Sequence, residues 1–233
     1  MSDSSERRLR ILALLAGGSP DAETVRLCQV CAEVGGVSGA GIMLMSPESL
    51  KGSVCTTDGI CDLIEQLQFT LGEGPSVDAY QEQRPVLEPD LAFPMTPRWL
   101  AFSGPIINAG VKAVFGFPIR VGAIRLGALN LYRNRPGSLT NDEHADSLVM
   151  ADIAARAILV MQSNAPPGEL ALELQRDGTF HYVVHQATGM VAAQLDVSVG
   201  VALVRLRAYA FANDQLLVDV AREVVDRKLR FEP

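Results

Sequence analysis

The chain has 233 residues, of which 48% are hydrophobic, and its formal net charge is −7. This length and apolar content suffice for the cores of two ordinary domains. The negative charge argues against general electrostatic adhesion to nucleic acid or to an anionic membrane, so any contact with nucleic acid has to be local. No segment reaches the roughly 18 consecutive apolar residues of a membrane span, and the N-terminus lacks the features of a secretory signal. We therefore expect a soluble, cytoplasmic protein.

The four cysteines, Cys28, Cys31, Cys55 and Cys61, all lie in the first third of the chain. A disulfide scaffold is not expected in a chain of this length and context, so reduced thiols are the default. Cys28 and Cys31 form a C-x-x-C pair inside a helical pattern, and no basic neighbour is placed to activate them. Buried small apolar side chains are therefore favoured here over a metal or redox centre.

Apolar periodicity divides the first 162 residues into helices and strands. Spacings of three and four predict helices, short buried runs predict strands, and glycine and proline separate these elements. In chain order, the predicted elements are helices over 6–16 and 19–36, a strand hairpin over 39–45 and 52–56, helical stretches over 61–71 and 75–80, and an extended segment over 85–88. They continue with a helix over 99–109, a second hairpin over 112–120 and 124–133, and a long helix over 140–162 that Thr140 caps.

This order of elements predicts an α+β fold, a sandwich in which helices pack against one face of an antiparallel sheet. Three phrases stand out within it: Leu71–Pro75 (LGEGP), Val114–Ile119 (VFGFPI) and Leu126–Tyr132 (LGALNLY). In this order they resemble a GAF sensor domain. The resemblance implies a GAF-like sheet with flanking helices over residues 1–162. It does not specify a ligand, because this fold hosts many different pockets.

Five aromatic residues of this region are candidate walls of a ligand pocket, although each suits a hydrophobic core equally well. They are Phe69, Tyr80, Trp99, Phe102 and Phe115. No cofactor is predicted, and the expected signal is an unidentified small molecule.

A short polar stretch rich in proline, Ser163–Gly168 (SNAPPG), marks the clearest boundary in the chain. It predicts a linker over residues 163–169 and a second domain over 170–233. From Thr179 onward, three helical patterns follow in quick succession, and each carries one apolar stripe. Because short amphipathic helices bury such stripes against each other, we expect a small three-helix bundle.

Three phrases of the C-terminal part carry a second resemblance. They are Gln186–Met190 (QATGM), Ala202–Ala210 (ALVRLRAYA) and Leu217–Ala221 (LVDVA). In this order and spacing they resemble the ANTAR domain of bacterial transcription antitermination regulators, over about residues 179–231. The resemblance implies a cytoplasmic regulator that binds paired hairpin loops in nascent RNA, prevents a terminator from forming, and is controlled by the GAF sensor.

The expected RNA contacts lie on all three helices of the bundle. Small residues at 187 and 189 leave a depression where an RNA loop can approach the backbone, polar residues at 186 and 188 flank it, and three arginines are available for phosphates or for stacking on a base. The complete set is Gln186, Ala187, Thr188, Gly189, Arg205, Arg207 and Arg222.

Several features of this site leave alternatives open. Gly189 can equally serve close packing of a neighbouring helix. Many family members carry lysine or glutamine at the position of Thr188, and arginine at that of His181. Residues 166–233 hold seven Lys and Arg against nine Asp and Glu. RNA binding therefore requires that basic residues converge on one face or that two copies combine.

An enzyme is not expected, because the chain shows no nucleophile elbow, metal-ligand spacing, phosphate-binding glycine loop or paired catalytic carboxylates. The alternative function is a ligand sensor and dimerisation protein whose C-terminal helices bind a protein partner and not RNA. A homodimer is expected in either case, because the apolar pattern from Thr140 to Gln162 exceeds what one face of a sheet needs. Neither a membrane nor DNA is an expected partner.

Overall fold

The computed structural model describes residues 2–16, 23–46, 49–94, 96–164, 179–213 and 215–232. Its elements follow the predicted order, and the helix predicted to end at Gln162 continues to Asn164, which includes the first two residues of the predicted linker. The remaining linker residues lie outside the described ranges. The elements are α1 (Ser2–Ala16), α2 (Glu23–Val34), β1 (Gly39–Ser46), β2 (Ser49–Thr56), α3 (Gly59–Leu71), α4 (Pro75–Glu82), β3 (Val86–Glu88), α5 (Leu100–Asn108), β4 (Ala113–Val121), β5 (Ile124–Arg133), α6 (Asn141–Asn164), α7 (Thr179–Leu195), α8 (Val199–Ala212) and α9 (Leu217–Val225).

The five strands form one antiparallel sheet in the order β2-β1-β5-β4-β3. Both hairpins predicted from strand spacing are present. In the second hairpin, Val121 pairs with Ile124 across a tight turn, and Gly122 takes the positive φ of 58° that such a turn favours. Pairing of β1 with β5 joins the two hairpins.

Helices cover both faces of this sheet, so the prediction of helices on one face is wrong. Along β1, Ala40, Ile42 and Leu44 point to the side of α1, α2 and α6, whereas Met43 and Met45 point to the opposite side. The second side is covered by α3 and α4. The physical reason is that the central strands are apolar at successive positions, so both of their faces have to be removed from water.

The start of α6 confirms the cap predicted at Thr140. The backbone N–H of Glu143 donates to Thr140 Oγ1 at 3.2 Å, and the N–H of Thr140 donates to Glu143 Oε2 at 2.6 Å. This reciprocal pair is a capping box. Glu143 Oε1 also lies 2.6 Å from the guanidinium of the buried Arg133, so the same carboxylate ties the end of β5 to the first turn of α6.

The expectation of reduced thiols is wrong for one pair of cysteines. Cys28 of α2 and Cys55 of β2 form a disulfide, with 6.0 Å between their Cα atoms. Packing of α2 against β2 brings together two residues 27 positions apart, a proximity that cysteine spacing does not reveal. Cys31 and Cys61 are free and buried, and burial raises the pKa of both thiols, that of Cys61 to about 12. These two thiols are therefore unreactive at neutral pH.

The three C-terminal helices pack against one another around an apolar core that includes Val184, Val191 and Leu206. The same hydrophobic cluster contains Met43 of the sheet and Phe69 of α3. The C-terminal helices thus lie against the α3 side of the N-terminal part.

No single helix among those described is long and apolar enough to cross a membrane. Among the described helices, one pair passes on length and composition, α7 and α8 taken together over Val183–Leu195 and Val199–Ala212, and the chain bends by 105° between them.

Candidate functional site

A row of small and polar residues crosses the centre of the sheet beneath α3 and α4. Gly41 of β1, Asn130 of β5 and Gly116 of β4 are neighbours in register. A β-carbon at Gly41 would overlap the carboxyl group of Glu65 on α3, and one at Gly116 would overlap the backbone carbonyl of Pro75 at the start of α4. The two glycines therefore let both helices approach the sheet, with the Asn130 side chain between them.

Three side chains on this side of the sheet carry buried polar atoms without ordinary partners. They are both carboxyl oxygens of Glu65, both amide atoms of Asn130 and the hydroxyl of Tyr80, none of which makes a hydrogen bond of normal geometry with a described residue. Each unsatisfied buried group costs roughly 1–3 kcal/mol. Groups retained at such a cost mark a place where a ligand or water completes the hydrogen bonding.

The carboxyl group of Glu65 has an unusual protonation state. Glu65 is only 2% exposed, and burial raises its pKa to about 8. The charge of Asp62 adds to this rise, while the nearby Ser53 hydroxyl opposes it in part. At neutral pH the carboxyl is mostly protonated, so it can both donate and accept hydrogen bonds. Together with the Asn130 amide, it places groups that can donate and accept hydrogen bonds on this side of the sheet.

The loop between α3 and α4 holds the surrounding helices in place. The N–H of Ser76 donates to Gln68 Oε1 at 2.7 Å, which fastens the start of α4 to α3. Glu73 Oε1 accepts the N–H groups of Ala101 and Phe102 at 2.8 and 2.9 Å. Glu73 thereby caps α5 from a distant part of the chain. The LGEGP phrase has this structural role.

The five aromatic residues predicted to wall a ligand pocket do not come together. Phe115 lies in the core on the α2 and α6 side, because strand alternation turns it away from α3. The other four occupy two separate clusters on the opposite side, with Phe69 and Tyr80 in one and Trp99 and Phe102 in the other. All five are buried in these clusters. An open groove of about 450 Å³ lies elsewhere, between the β4 end and α6, and none of the five lines it.

On α7, two of the four predicted RNA contacts face solvent. Gln186 and Gly189 are exposed, and a β-carbon at Gly189 would meet no described atom within 4 Å. Ala187 and Thr188 are buried, and the Thr188 hydroxyl donates to the carbonyl of Val184 at 2.6 Å. The depression at Gly189 is therefore open, but Thr188 faces the bundle core and does not flank the depression.

The three predicted arginines point in different directions. Arg205 is exposed, whereas Arg207 is half-buried and donates to the carbonyl oxygen of Phe69 on α3. Residues two apart on a helix point to nearly opposite sides, which explains the difference. Arg222 is exposed and lies 3.3 Å from Asp219 on its own helix. The structure thus leaves Arg205 and Arg222 at the surface and engages Arg207 with the N-terminal part.

Sequence reasoning missed Glu65, Asn130 and the α3 end that contacts Arg207. A signal for Glu65 was present, because Cys61, Glu65 and Phe69 recur every four residues and therefore share one face of α3, which is buried. An acidic residue on such a stripe indicates a buried polar site. The contact of Arg207 had no comparable signal, since it joins residues 138 positions apart.

The five-stranded antiparallel sheet, with helices on both faces and polar groups buried beneath α3 and α4, defines an α+β fold. Residues 19–158 match the family model described as GAF domain. The chain therefore belongs to the GAF domain family, whose members are sensor domains of signalling proteins. The matched residues end before the three C-terminal helices. No curated protein matches the chain.

Solved structures share this fold at low sequence identity. The GAF domain of a phosphoenolpyruvate-protein phosphotransferase from Coxiella burnetii is 13% identical, with a TM-score of 0.51, over 69% of this chain and 95% of that chain. Its counterpart from Acinetobacter is 12% identical, with a TM-score of 0.52, over the same shares. The free methionine-R-sulfoxide reductase from Neisseria meningitidis, in complex with its substrate, is 14% identical, with a TM-score of 0.50, over 70% and 92%. These similarities establish the fold alone.

Proposed function

We propose that this protein is a cytoplasmic, non-enzymatic transcription regulator whose C-terminal helices bind hairpin loops in nascent RNA and prevent termination, under control of the GAF domain. The observation that carries this proposal is the open surface over Gly189. A glycine inside a helix costs about 1 kcal/mol relative to alanine. No described residue packs against it, so packing of a described helix does not account for the glycine. An RNA loop approaching the backbone does account for it.

The distribution of charge supports an RNA contact that is confined to a small part of the surface. Arg205 and Arg222 present exposed guanidinium groups on α8 and α9, and Gln186 adds an exposed amide on α7. The C-terminal part as a whole is net acidic. A homodimer that offers two such sites to two RNA loops compensates for this weak charge.

The proposed homodimer has surfaces available for pairing. Leu159 and Val160 near the end of α6 are 40% and 59% exposed, and Leu9 of α1 is 67% exposed. Burying such side chains against a second copy is favourable. Multi-angle light scattering with and without RNA measures the oligomeric state, and a monomer under both conditions contradicts the dimer.

For the sensor, we propose that Glu65 and Asn130 recognise a small, polar, uncharged molecule, because both amide atoms of Asn130 lack partners among the described residues and the only described side chain near enough to hydrogen-bond the Glu65 carboxyl is Ser53. Binding would complete these hydrogen bonds and stabilise the GAF domain by mass action. Thermal-shift screening of such molecules against the wild type and Asn130→Leu tests this proposal. A molecule that raises the melting temperature of Asn130→Leu as much as that of the wild type binds at another site, and this result contradicts the proposal.

The test of RNA binding uses a labelled RNA with two tandem hexanucleotide-loop hairpins, titrated with the full chain at several salt concentrations. We expect salt-sensitive binding that falls at least about tenfold in Gly189→Leu, because a leucine fills the depression. Gly104→Leu is the matched control, since Gly104 is also a helical glycine with open space around it, on α5 of the GAF domain. The same RNA with its loops replaced by four-nucleotide loops controls for loop recognition.

One observation favours the alternative function, a C-terminal unit that binds a protein. Val201, Val204 and Phe211 on α8 are 45%, 60% and 72% exposed, and their spacing of three and seven forms an apolar stripe. Such a stripe is typical of a surface that packs against another protein. Absence of RNA binding in the wild type and in every variant described below supports this alternative and contradicts antitermination.

A further inference from the structure

The C-terminal end of α3 holds Arg207 through several contacts. The guanidinium donates to the backbone carbonyl of Phe69, and its central carbon lies 5.8 Å from the centre of the Phe69 ring. The same ring meets His185 of α7 edge-on, with 6.0 Å between ring centres. One residue of the GAF domain thus engages two helices of the C-terminal part.

The position of the Phe69 carbonyl explains why it attracts a cation. The last four carbonyl groups of a helix have no partner inside the helix, and they carry the negative end of the helix dipole. In α3, the carbonyl of Gln68 accepts the N–H of Gly72 at 2.9 Å, and that of Phe69 accepts Arg207. Arg207 therefore caps a helix of the sensor domain.

The contacts of Arg207 with the α3 end leave its half-buried charge without a negatively charged partner among the described residues. No carboxylate in the described part of the chain pairs with Arg207, and its Nε atom is buried without a hydrogen-bond partner there. Burial lowers the pKa of Arg207 to about 10, so the side chain stays protonated at neutral pH while it has lost much of its hydration. A phosphate group offers a full negative charge and two-pronged hydrogen bonding, which makes it a stronger partner than a carbonyl.

We propose that the α3 end, Phe69–Gly72, is an autoinhibitory clamp that sequesters Arg207 from RNA, so that RNA and the GAF domain compete for this side chain. The inference rests on the proposed RNA-binding function and adds its regulation. Glu65 and Phe69 are one helical turn apart, so a ligand that moves α3 at Glu65 displaces the clamp as well. Release of Arg207 completes the RNA-binding site.

Gly72 provides a way to open the clamp without creating a cavity. A β-carbon at Gly72 would lie 2.9 Å from a terminal nitrogen of Arg207, so Gly72→Ala pushes the guanidinium away. Gly72 has a φ of 69°, which also strains alanine. Gly122→Ala is the matched control, because Gly122 has a similar φ of 58° and no described atom near its β-carbon position. The two variants share the strain and differ in the contact with Arg207.

A second variant loosens the clamp by removing the ring, while the backbone carbonyl of residue 69 stays in place. Phe69→Leu deletes the surface on which Arg207 and His185 lie. Phe102→Leu is its control, because Phe102 is equally buried in a cluster of the GAF domain that excludes the C-terminal helices. Both substitutions leave cavities of similar size, so a difference between them reports on the clamp and not on general destabilisation.

The experiment measures two properties of the full chain. Hydrogen exchange in peptides covering 69–72 and α8 reports whether the clamp is closed, and titration with the tandem-hairpin RNA reports affinity. We expect Gly72→Ala and Phe69→Leu to raise exchange in both regions and to tighten RNA binding about fivefold or more, the lower end of typical coupling between two sites. Gly122→Ala and Phe102→Leu should bind RNA as the wild type does. Adding Arg207→Ala to Gly72→Ala should abolish the gain.

The outcomes separate this inference from the proposed function. If every variant binds RNA with wild-type affinity, the clamp is overturned and the RNA-binding function stands. If Gly72→Ala and Phe69→Leu leave exchange at 69–72 unchanged, the contact does not hold Arg207 in solution, which also overturns the clamp. If exchange rises in these variants but none of them binds RNA, the proposed function fails, and the autoinhibition fails with it.

Discussion

The carboxyl group of Glu65 occupies the space above Gly41 where any larger residue at position 41 would place its β-carbon. The polar side chain of a residue on α3 thus fills the space left by the missing side chain of a glycine in β1. This arrangement places an ionisable group in the interior of the domain, with the amide of Asn130 beside it in the same row. The consequences of this pairing can be measured through the pH dependence of stability.

Glu65→Gln should flatten the decline in stability between pH 5 and pH 8. The carboxyl has a pKa near 4.5 when exposed and about 8 when folded. Its stabilising effect is fully present below pH 4.5 and is lost as pH rises to 8, because the unfolded state releases the proton first. Each pH unit in this window costs about 1.4 kcal/mol. Urea unfolding at pH 5, 6.5 and 8 measures the slope, with the exposed Glu232→Gln as control. An unchanged slope in Glu65→Gln would show that Glu65 is ionised in the folded protein.

Gly116→Ala should destabilise the protein by about 3 kcal/mol, since its β-carbon would overlap the Pro75 backbone, which cannot move cheaply. Gly104→Ala on α5 should instead stabilise by up to about 1 kcal/mol, because the new methyl group has open space and alanine favours a helix. Chemical denaturation of both variants checks the opposite signs. Equal effects would mean that α4 does not pack against the sheet at Gly116.

Gly189→Ala should separate stability from RNA binding. The substitution relieves a helix-interior glycine in open space, so stability should rise by about 1 kcal/mol. RNA affinity should fall, because the methyl group partly fills the depression used by the loop. Thermal unfolding and RNA titration on the same preparation test both effects. A stabilised variant with unchanged affinity would remove Gly189 from the proposed site.

Cys28→Ser should lower stability by about 2–4 kcal/mol without reductant, because it opens the disulfide to Cys55. With reductant present, the difference from the reduced wild type should shrink to the local effect of the serine. Cys31→Ser, at a free and buried cysteine, should have the same effect in both buffers. Alkylation of the unfolded, unreduced wild type should label two cysteines per chain, and labelling of all four would contradict the disulfide.

Local patterns predicted most elements, because hairpin spacing and helix caps depend on residues close in the chain. The connection between Val121 and Ile124 and the cap at Thr140 are examples. The spacing of the residues also predicts that Thr188 is buried, since Val184, Thr188 and Val191 share the apolar stripe of α7. The polarity of Thr188 favoured an RNA contact, whereas its position on the apolar stripe indicated burial.

By itself, the sequence determined the order of helices and strands and membership of the GAF family, because these follow from periodicity and from short phrases of neighbouring residues. Only the tertiary structure decided that helices cover both sheet faces, that Cys28 bonds to Cys55 and that Arg207 caps α3. Each of these depends on contacts between residues far apart in the chain. Such contacts are selected by the packing of the whole molecule, and no local pattern encodes them.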